Sequence, residues 1–447
     1  ASSRAGAAME DARHANAIQV PQPAPSRLVA HPDRGLILGE VHARPFAPMA
    51  TPSRVLHFAF LTDAAQAAAD RAALARFCAE RGVAGPSEDA KHHRARLNDT
   101  GLRWEQHSEF TTYSWELPAN GGQPFEPPPT MLPQPMLELP QPGPHLVSVD
   151  LHLVVERPTE AFDRLFDASS LAVVAVDGGA AMAATDFRAC ADGFVRILVR
   201  DRSLTPAQAG ALAQRLLEIE TYRTLALLGL PEAHRIAPFV KSTEEALVRI
   251  ANTMTQTDGL AADNALLDEM TALAARLQAE ATVAGYRFGA SRAYSDIVQQ
   301  RLAAIGEEPH EGWPTISAFL SRRMAPAMRT CQMLVGRLAD LSRNLGRASN
   351  LLRTRVDVAL EQQNRDLLAA MNERTRLQLR LQHTVEGLSV AAIAYYVVSL
   401  FGYLAKGAKE AGWPMPDTGV AMALFVPVAL LGVWLAVRRI RRGHHES

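Results

Sequence analysis

Two almost charge-free apolar runs, Gly387–Ala405 and Thr418–Val437, dominate the last quarter of this 447-residue chain. Each holds about 20 residues, the length a helix needs to cross the hydrocarbon layer of a bilayer. A short segment from Lys406 to Asp417 joins them. Arg374, Arg376 and Arg380 precede the first run, and Arg438, Arg439, Arg441 and Arg442 follow the second. The joining segment carries only Lys406 and Lys409, offset by Glu410 and Asp417. The positive-inside rule then places both ends in the cytoplasm and the joining loop outside. The alternative is a pair of buried helices in a soluble protein, and the flanking arginines argue against it.

Composition excludes several classes. A net charge of -1 gives no field that would draw in nucleic acid. Cys78, Cys190 and Cys331 are too scattered for a disulfide framework or a zinc site, which fits a reducing compartment. The first 30 residues are rich in Ala and Pro and lack an apolar core, so they read as a disordered leader. No Walker loop, GxGxxG before a helix, GxSxG elbow or HExxH is present, and the chain reads as a non-enzyme without a cofactor.

The folded part begins with strand and turn signals. Val55–Leu61 is apolar and bounded by turn formers, as a strand should be. Asp63–Arg81 has helical spacing, and Leu102–Trp115 alternates aromatic and β-branched residues like one strand. The Pro-rich stretch from Gln123 to Pro144 suits neither a central strand nor a helix interior. His145–Val155, Leu171–Val176, Thr185–Cys190 and Phe194–Val199 predict further strands in an antiparallel meander, with turns at Asp177-Gly178-Gly179 and Asp192-Gly193. His92-His93 beside Lys91, Arg94 and Arg96 reads as a solvated basic helix face.

Helix dominates after Thr205-Pro206, a capping residue followed by Pro at the first helical position. Gly229-Leu230-Pro231 is expected to stop that helix. Others are predicted over 232–257, 261–305 and 314–324. From Ala327 to Glu386 there is no proline, and Leu334, Leu338, Leu341, Leu345, Ala348 and Leu352 alternate four and three apart. After a one-residue slip the seam resumes at Val356, Leu360, Leu367, Met371 and Leu381. A seam this long needs partners, and the helix runs on into the first apolar run.

Several strings carry a family resemblance. They are His31-Pro32 with Glu40-Val41-His42-Ala43-Arg44-Pro45-Phe46; Trp104-Glu105-Gln106-His107-Ser108-Glu109-Phe110-Thr111-Thr112-Tyr113; and Thr185-Asp186-Phe187-Arg188 with Asp192-Gly193-Phe194. Gln214–Arg223, Leu351–Val358 and Thr384–Val390 complete the set. Over about residues 31–440 the chain resembles the bacterial membrane-anchored family called domain of unknown function 3422. That resemblance implies the bacterial inner membrane and no assigned activity. The order of α/β domain, long helix, span, short loop, span and basic tail also resembles CorA-type divalent-cation channels, which implies a pentamer with the first span lining a pore. The Gly-Met-Asn signature of that family is absent, with Gly402-Tyr403-Leu404 in its place, so none of its site residues carries over.

Two groups of residues are candidates for function. Thr375, Gln378, Gln382, Glu386, Ser389, Tyr396, Ser399 and Tyr403 form a polar stripe along one helix face. It suits a pore axis with Glu386 as a carboxylate ring at the inner mouth. It also suits hydroxyls that bond neighbouring helices, with Tyr403 in the interfacial belt. In the soluble part His42, Arg44, Glu105, His107 and Glu109 are the candidates for a metal or anion site. Buried pairs that pin a loop to a sheet are the alternative. Asp186 and Asp192 are explained by their turns.

The predicted class is α+β: an antiparallel sheet with helices, a long helical stalk and a two-helix transmembrane hairpin. The division is 1–30 leader, 31–203 α+β cytosolic domain, 204–326 helical region, 327–386 stalk, 387–437 transmembrane helices and 438–447 basic tail. The expected function is an oligomeric cation channel or transporter, or else a membrane-anchored scaffold or regulator. The expected partners are lipid and further copies of the chain, with a divalent cation as the transported ion.

Overall fold

Strand β1, Ser53–Leu61, is buried along nearly its whole length because it is paired on both edges. The structure, a computed structural model, describes residues 31–34, 37, 46–119, 123–132, 135–157, 161–256, 259–310, 312–412, 414 and 416–443. The chain divides into two units, Ala1–Val240 with Ala279–Leu338, and Lys241–Gln278 with Ala339–Ser447.

The first unit is built on a nine-stranded sheet. After β1 come helix α1 (Ala64–Glu80) and strands β2 (His92–Leu97), β3 (Thr100–Gln106), β4 (Phe110–Pro118) and β5 (His145–Val155). Strands β6 (Ala172–Val176), β7 (Ala181–Ala189), β8 (Val195–Asp201) and β9 (Glu308–Pro309) complete it, in the order β2-β3-β4-β1-β5-β8-β7-β6-β9. Every pairing is antiparallel except β5 with β8. The predicted meander holds for β6-β7-β8 but does not extend back to β5. The chain leaves β5 and re-enters the sheet at β6 with β8 and β7 between them, so β8 returns parallel to β5.

Two further expectations change. The single strand predicted over 102–115 is two strands, β3 and β4, with a tight turn at His107–Glu109 closed by the His107 N–H donating to the Phe110 carbonyl at 2.8 Å. The predicted basic helix face at His92–Arg96 is strand β2, whose exposure alternates residue by residue. Ala95 and Leu97 pack on the core there while Arg94 and Arg96 point the other way.

Helices cover both faces of the sheet. Helix α2, Pro206–Leu227, opens with a reciprocal cap between Thr205 and Gln208 and lays Leu212, Leu216, Ile219 and Leu225 against Val149, Leu151, Ile197 and Val199. On the opposite face α1, capped in the same way by Asp63 and Gln66, packs Leu74, Phe77 and Cys78 on Trp104, Tyr113 and Trp115. The buried Asp70 carboxylate accepts from Trp104 Nε1 at 2.8 Å and from the Tyr113 hydroxyl at 2.7 Å, which satisfies both polar tips in the core.

A charge pair lies in the same layer. Arg54 donates from Nε at 2.8 Å and from Nη2 at 2.6 Å to Asp150 on the neighbouring strand, and from Nη1 to the Pro127 carbonyl at 2.7 Å. Both side chains are almost wholly buried. Burial pushes the Asp150 carboxyl up, but hydrogen bonds from His152 and Arg54 outweigh it and hold the group below the usual carboxylate range.

Helices α3 (Gly229–Gln256), α4 (Leu260–Ala304) and α5 (Ile316–Glu410) each contribute to both units. Gly229 starts α3 rather than only ending α2, because Pro231 sits in its first turn, where its missing N–H costs nothing. The helix predicted over 314–324 and the stalk from 327 form one helix through Pro326. Proline removes one ladder bond there, and burial of Met324, Ala327 and Met328 holds the helix on both sides of it.

In the second unit Leu341, Leu345, Leu352 and Val356 of the predicted seam are buried, as are Ile250, Leu266, Met270 and Leu277. Arg355 ties the three helices together: its Nε lies 3.1 Å from the Asp263 carboxylate on α4, and Nη1 donates to the Met254 carbonyl of α3 at 2.6 Å. Beyond Val356 the seam is uncovered among the described residues, and Leu360, Leu367, Met371 and Leu381 are exposed. Helix α6, Thr418–Gly443, follows α5.

Candidate functional site

The C-terminal helices define the first site. Segments of α5 and α6 are long and apolar enough to cross a membrane. They pair through small and aromatic residues: the rings of Phe401 and Phe425 stack with centroids 4.0 Å apart, and Ala394, Ala405 and Ala429 are buried. Gly402 lets Met422 approach, because a Cβ there would lie 2.8 Å from the Met422 sulfur. At about 100° per residue, Ala394, Phe401 and Ala405 fall within roughly 40° of one another on α5.

The predicted polar stripe lies on the other side of that helix. Gln382, Ser389, Tyr396, Ser399 and Tyr403 fall roughly 140–240° round from Ala394. Tyr396 and Tyr403 are 72% and 76% exposed, so α6 does not cover them. Glu386 sits at the edge of the stripe, half-buried, with its carboxylate 3.8 Å from His383 Nδ1.

Of the polar residues predicted in the soluble part, the three that are described meet different neighbours. Glu105 is buried on β3, 4.0 Å from Arg103. His107 lies in the β3–β4 turn and stacks on Phe110 at 4.1 Å. Glu109 makes a two-pronged pair with Arg287 of α4, at 2.6 and 3.1 Å. The turn is therefore pinned to a helix. Among the described residues no group of three or more His, Cys, Asp or Glu is placed to hold a metal. His42 and Arg44 lie outside the described residues. Asp186 accepts the backbone N–H groups of Asp167 and Arg188, and Asp192 accepts that of Phe194.

A second site went unread in the sequence. On the face of the sheet that meets α2, Arg94 of β2 is directly opposite Arg103 of β3, and Arg103 is opposite Ser114 of β4. One step along, Arg96 faces Gly101 and Gly101 faces Glu116. These residues, with Gln214 and Leu217 of α2, line a cleft of about 400 Å³. Segment 47–49 forms one wall and is held by Gly210, where a Cβ would sit only 1.8 Å from the Ala47 carbonyl oxygen. The Met49 N–H donates to the Pro206 carbonyl at 2.8 Å.

The row continues inward from Arg103. The Arg103 guanidinium donates to Gln214 Oε1 at 2.5 Å, and Ser114 Oγ lies 2.8 Å from His57 Nδ1. His57 Nε2 lies 3.0 Å from the Thr221 hydroxyl, which itself donates to the Leu217 carbonyl. Thr221 therefore accepts from Nε2–H, and Nδ1 accepts from Ser114. Burial first, then the nearby Arg103 and His107, lowers the His57 pKa to about 3. A base that weak does not activate the Ser114 hydroxyl near neutral pH.

An α+β body with a basic cleft and a C-terminal pair of apolar helices with an uncovered polar stripe defines the class. Residues 29–444 match the family described as protein of unknown function (DUF3422), and the chain belongs to that family. No curated protein and no solved structure matches the chain.

Proposed function

We propose that the chain is an oligomeric protein of the bacterial cytoplasmic membrane, with body and tail in the cytoplasm, in which the first spans of neighbouring copies face one another and carry cations along the stripe. One observation carries this reading: α6 occupies the Ala394–Phe401–Ala405 face of α5, which leaves Tyr396 and Tyr403 exposed on the side of the helix that also carries Ser389 and Ser399. Polar groups facing lipid are costly, whereas facing copies would hydrate or bond them. The uncovered seam at Leu360, Leu367, Met371 and Leu381 supports association of the same helix before it enters the bilayer. Five copies is the number that the CorA likeness suggests. Arg438, 4.9 Å from the Trp434 ring centre, suits a cytoplasmic interface anchor. The test is divalent-cation flux into dye-loaded liposomes carrying the purified protein. Uptake above that of empty liposomes is expected, and uptake equal to theirs removes the transport reading.

A membrane-anchored scaffold or regulator is the second reading, favoured by the bulk of Tyr396 and Tyr403 on the stripe. Two tyrosine rings from each copy would crowd a narrow axis, and Glu386 is the sole carboxylate between Glu373 and Glu410. An assembled particle without flux is the outcome this reading expects.

A further inference from the structure

We infer that the cleft between α2 and strands β2–β4 is a binding site for a small organic phosphate. Three guanidiniums, from Arg94, Arg96 and Arg103, and one carboxylate, from Glu116, are among the described residues that line it. Arg94 and Arg103 are directly opposite on paired strands, an arrangement of like charges that destabilises a sheet on its own. Burial first, then repulsion from Arg103, lowers the Arg94 pKa, while the Glu105 carboxylate pulls it the other way. An oxyanion between them turns that repulsion into attraction, and planar guanidinium forks match phosphate oxygens in pairs. The rest of the cleft is apolar: Val55, Ala213 and Leu217 make a floor against which the carbon body of the ligand would lie.

The wall formed by segment 47–49 explains why the site is small. Gly210 and the Met49 N–H hold that segment directly on α2, so one side of the cleft is fixed backbone. The neutral His57 behind Ser114 adds no charge of its own. The site therefore selects one multiply charged head on an apolar body rather than a long polyanion.

The experiment uses the full-length protein in detergent and calorimetric titration with phenyl phosphate, with inorganic phosphate and benzyl alcohol as separate arms at matched ionic strength. Saturable binding of phenyl phosphate is expected, roughly tenfold tighter than inorganic phosphate because the ring is buried on the floor. Arg94→Gln should weaken it on the order of tenfold or more while raising the ligand-free melting temperature, since the same change removes a repulsion and a phosphate contact. A residue that merely supports the fold would not combine those two signs. No saturable binding of phenyl phosphate, or equal affinity in Arg94→Gln and the parent, overturns the assignment. Inorganic phosphate binding as tightly as phenyl phosphate overturns the apolar half of it.

Discussion

The rings of Phe401 and Phe425 stack at 4.0 Å, and this pairing commits one face of the first apolar helix to the second. The opposite face must then meet either lipid or another molecule. In membranes, Tyr396→Cys in a Cys190→Ser background should cross-link between copies with a short bis-maleimide, because the remaining Cys78 and Cys331 are buried. Ala394→Cys, on the covered face, should not cross-link under the same treatment. A cross-linked dimer band on denaturing gels from Ala394→Cys but not Tyr396→Cys would reverse the assignment of faces.

On the proposed reading, Glu386 lies at the inner mouth of the path. With Glu386→Gln, liposome flux of divalent cations should fall at least tenfold while the particle keeps its size. Unchanged flux would show that this carboxylate does not guard the path.

The Arg54–Asp150 pair makes a stability prediction. Arg54→Gln leaves the Asp150 carboxylate buried without its two-pronged partner, which costs about 3–5 kcal/mol. The double change Arg54→Met, Asp150→Leu should recover most of that loss, because no lone charge remains inside. Urea unfolding followed by fluorescence of the buried Trp104 and Trp115 reads both. Since the Asp150 pKa is lowered in the fold, the pair's contribution is complete above the unfolded carboxylate pKa of about 4 and fades as pH falls below it.

His57 predicts a different window. Its folded pKa of about 3 lies below the ordinary value of 6.5, so the unfolded chain takes up a proton that the folded chain refuses. Stability linked to His57 is complete above pH 6.5 and declines as pH drops toward 3. Between those limits, His57→Asn should flatten the stability-against-pH slope by up to about 1.4 kcal/mol per pH unit, one proton's worth. Parallel slopes for parent and variant would mean that His57 is not buried in its neutral form.

Much of this architecture was legible in the sequence. The cap at Thr205, the strand at Val55–Leu61 and both apolar helices follow from local chemistry alone. The β3–β4 hairpin was hidden because His107-Ser108-Glu109 contains neither Gly nor Pro, so alternation ran on across the turn. Strand β2 was hidden because its outward residues are all charged or His. The inward Ala95 and Leu97 were the period-two signal, and they number only two. The parallel pairing of β5 with β8 depends on a crossover that no local pattern encodes. The basic cleft went unread for the same reason, since Arg94 meets Arg103 only once strands β2 and β3 are paired in register. Glu105, His107 and Glu109 alternate, which on one uninterrupted strand would put them on a single face, but the turn sends each to a different neighbour.

The stripe reading stands on copies of this chain meeting through α5 inside a bilayer. Multi-angle light scattering of the full-length protein in lipid nanodiscs, corrected for lipid, tests it most directly. A single species at a whole-number multiple of 48.5 kDa, two or more, is the predicted result. A species at 48.5 kDa itself would contradict the account.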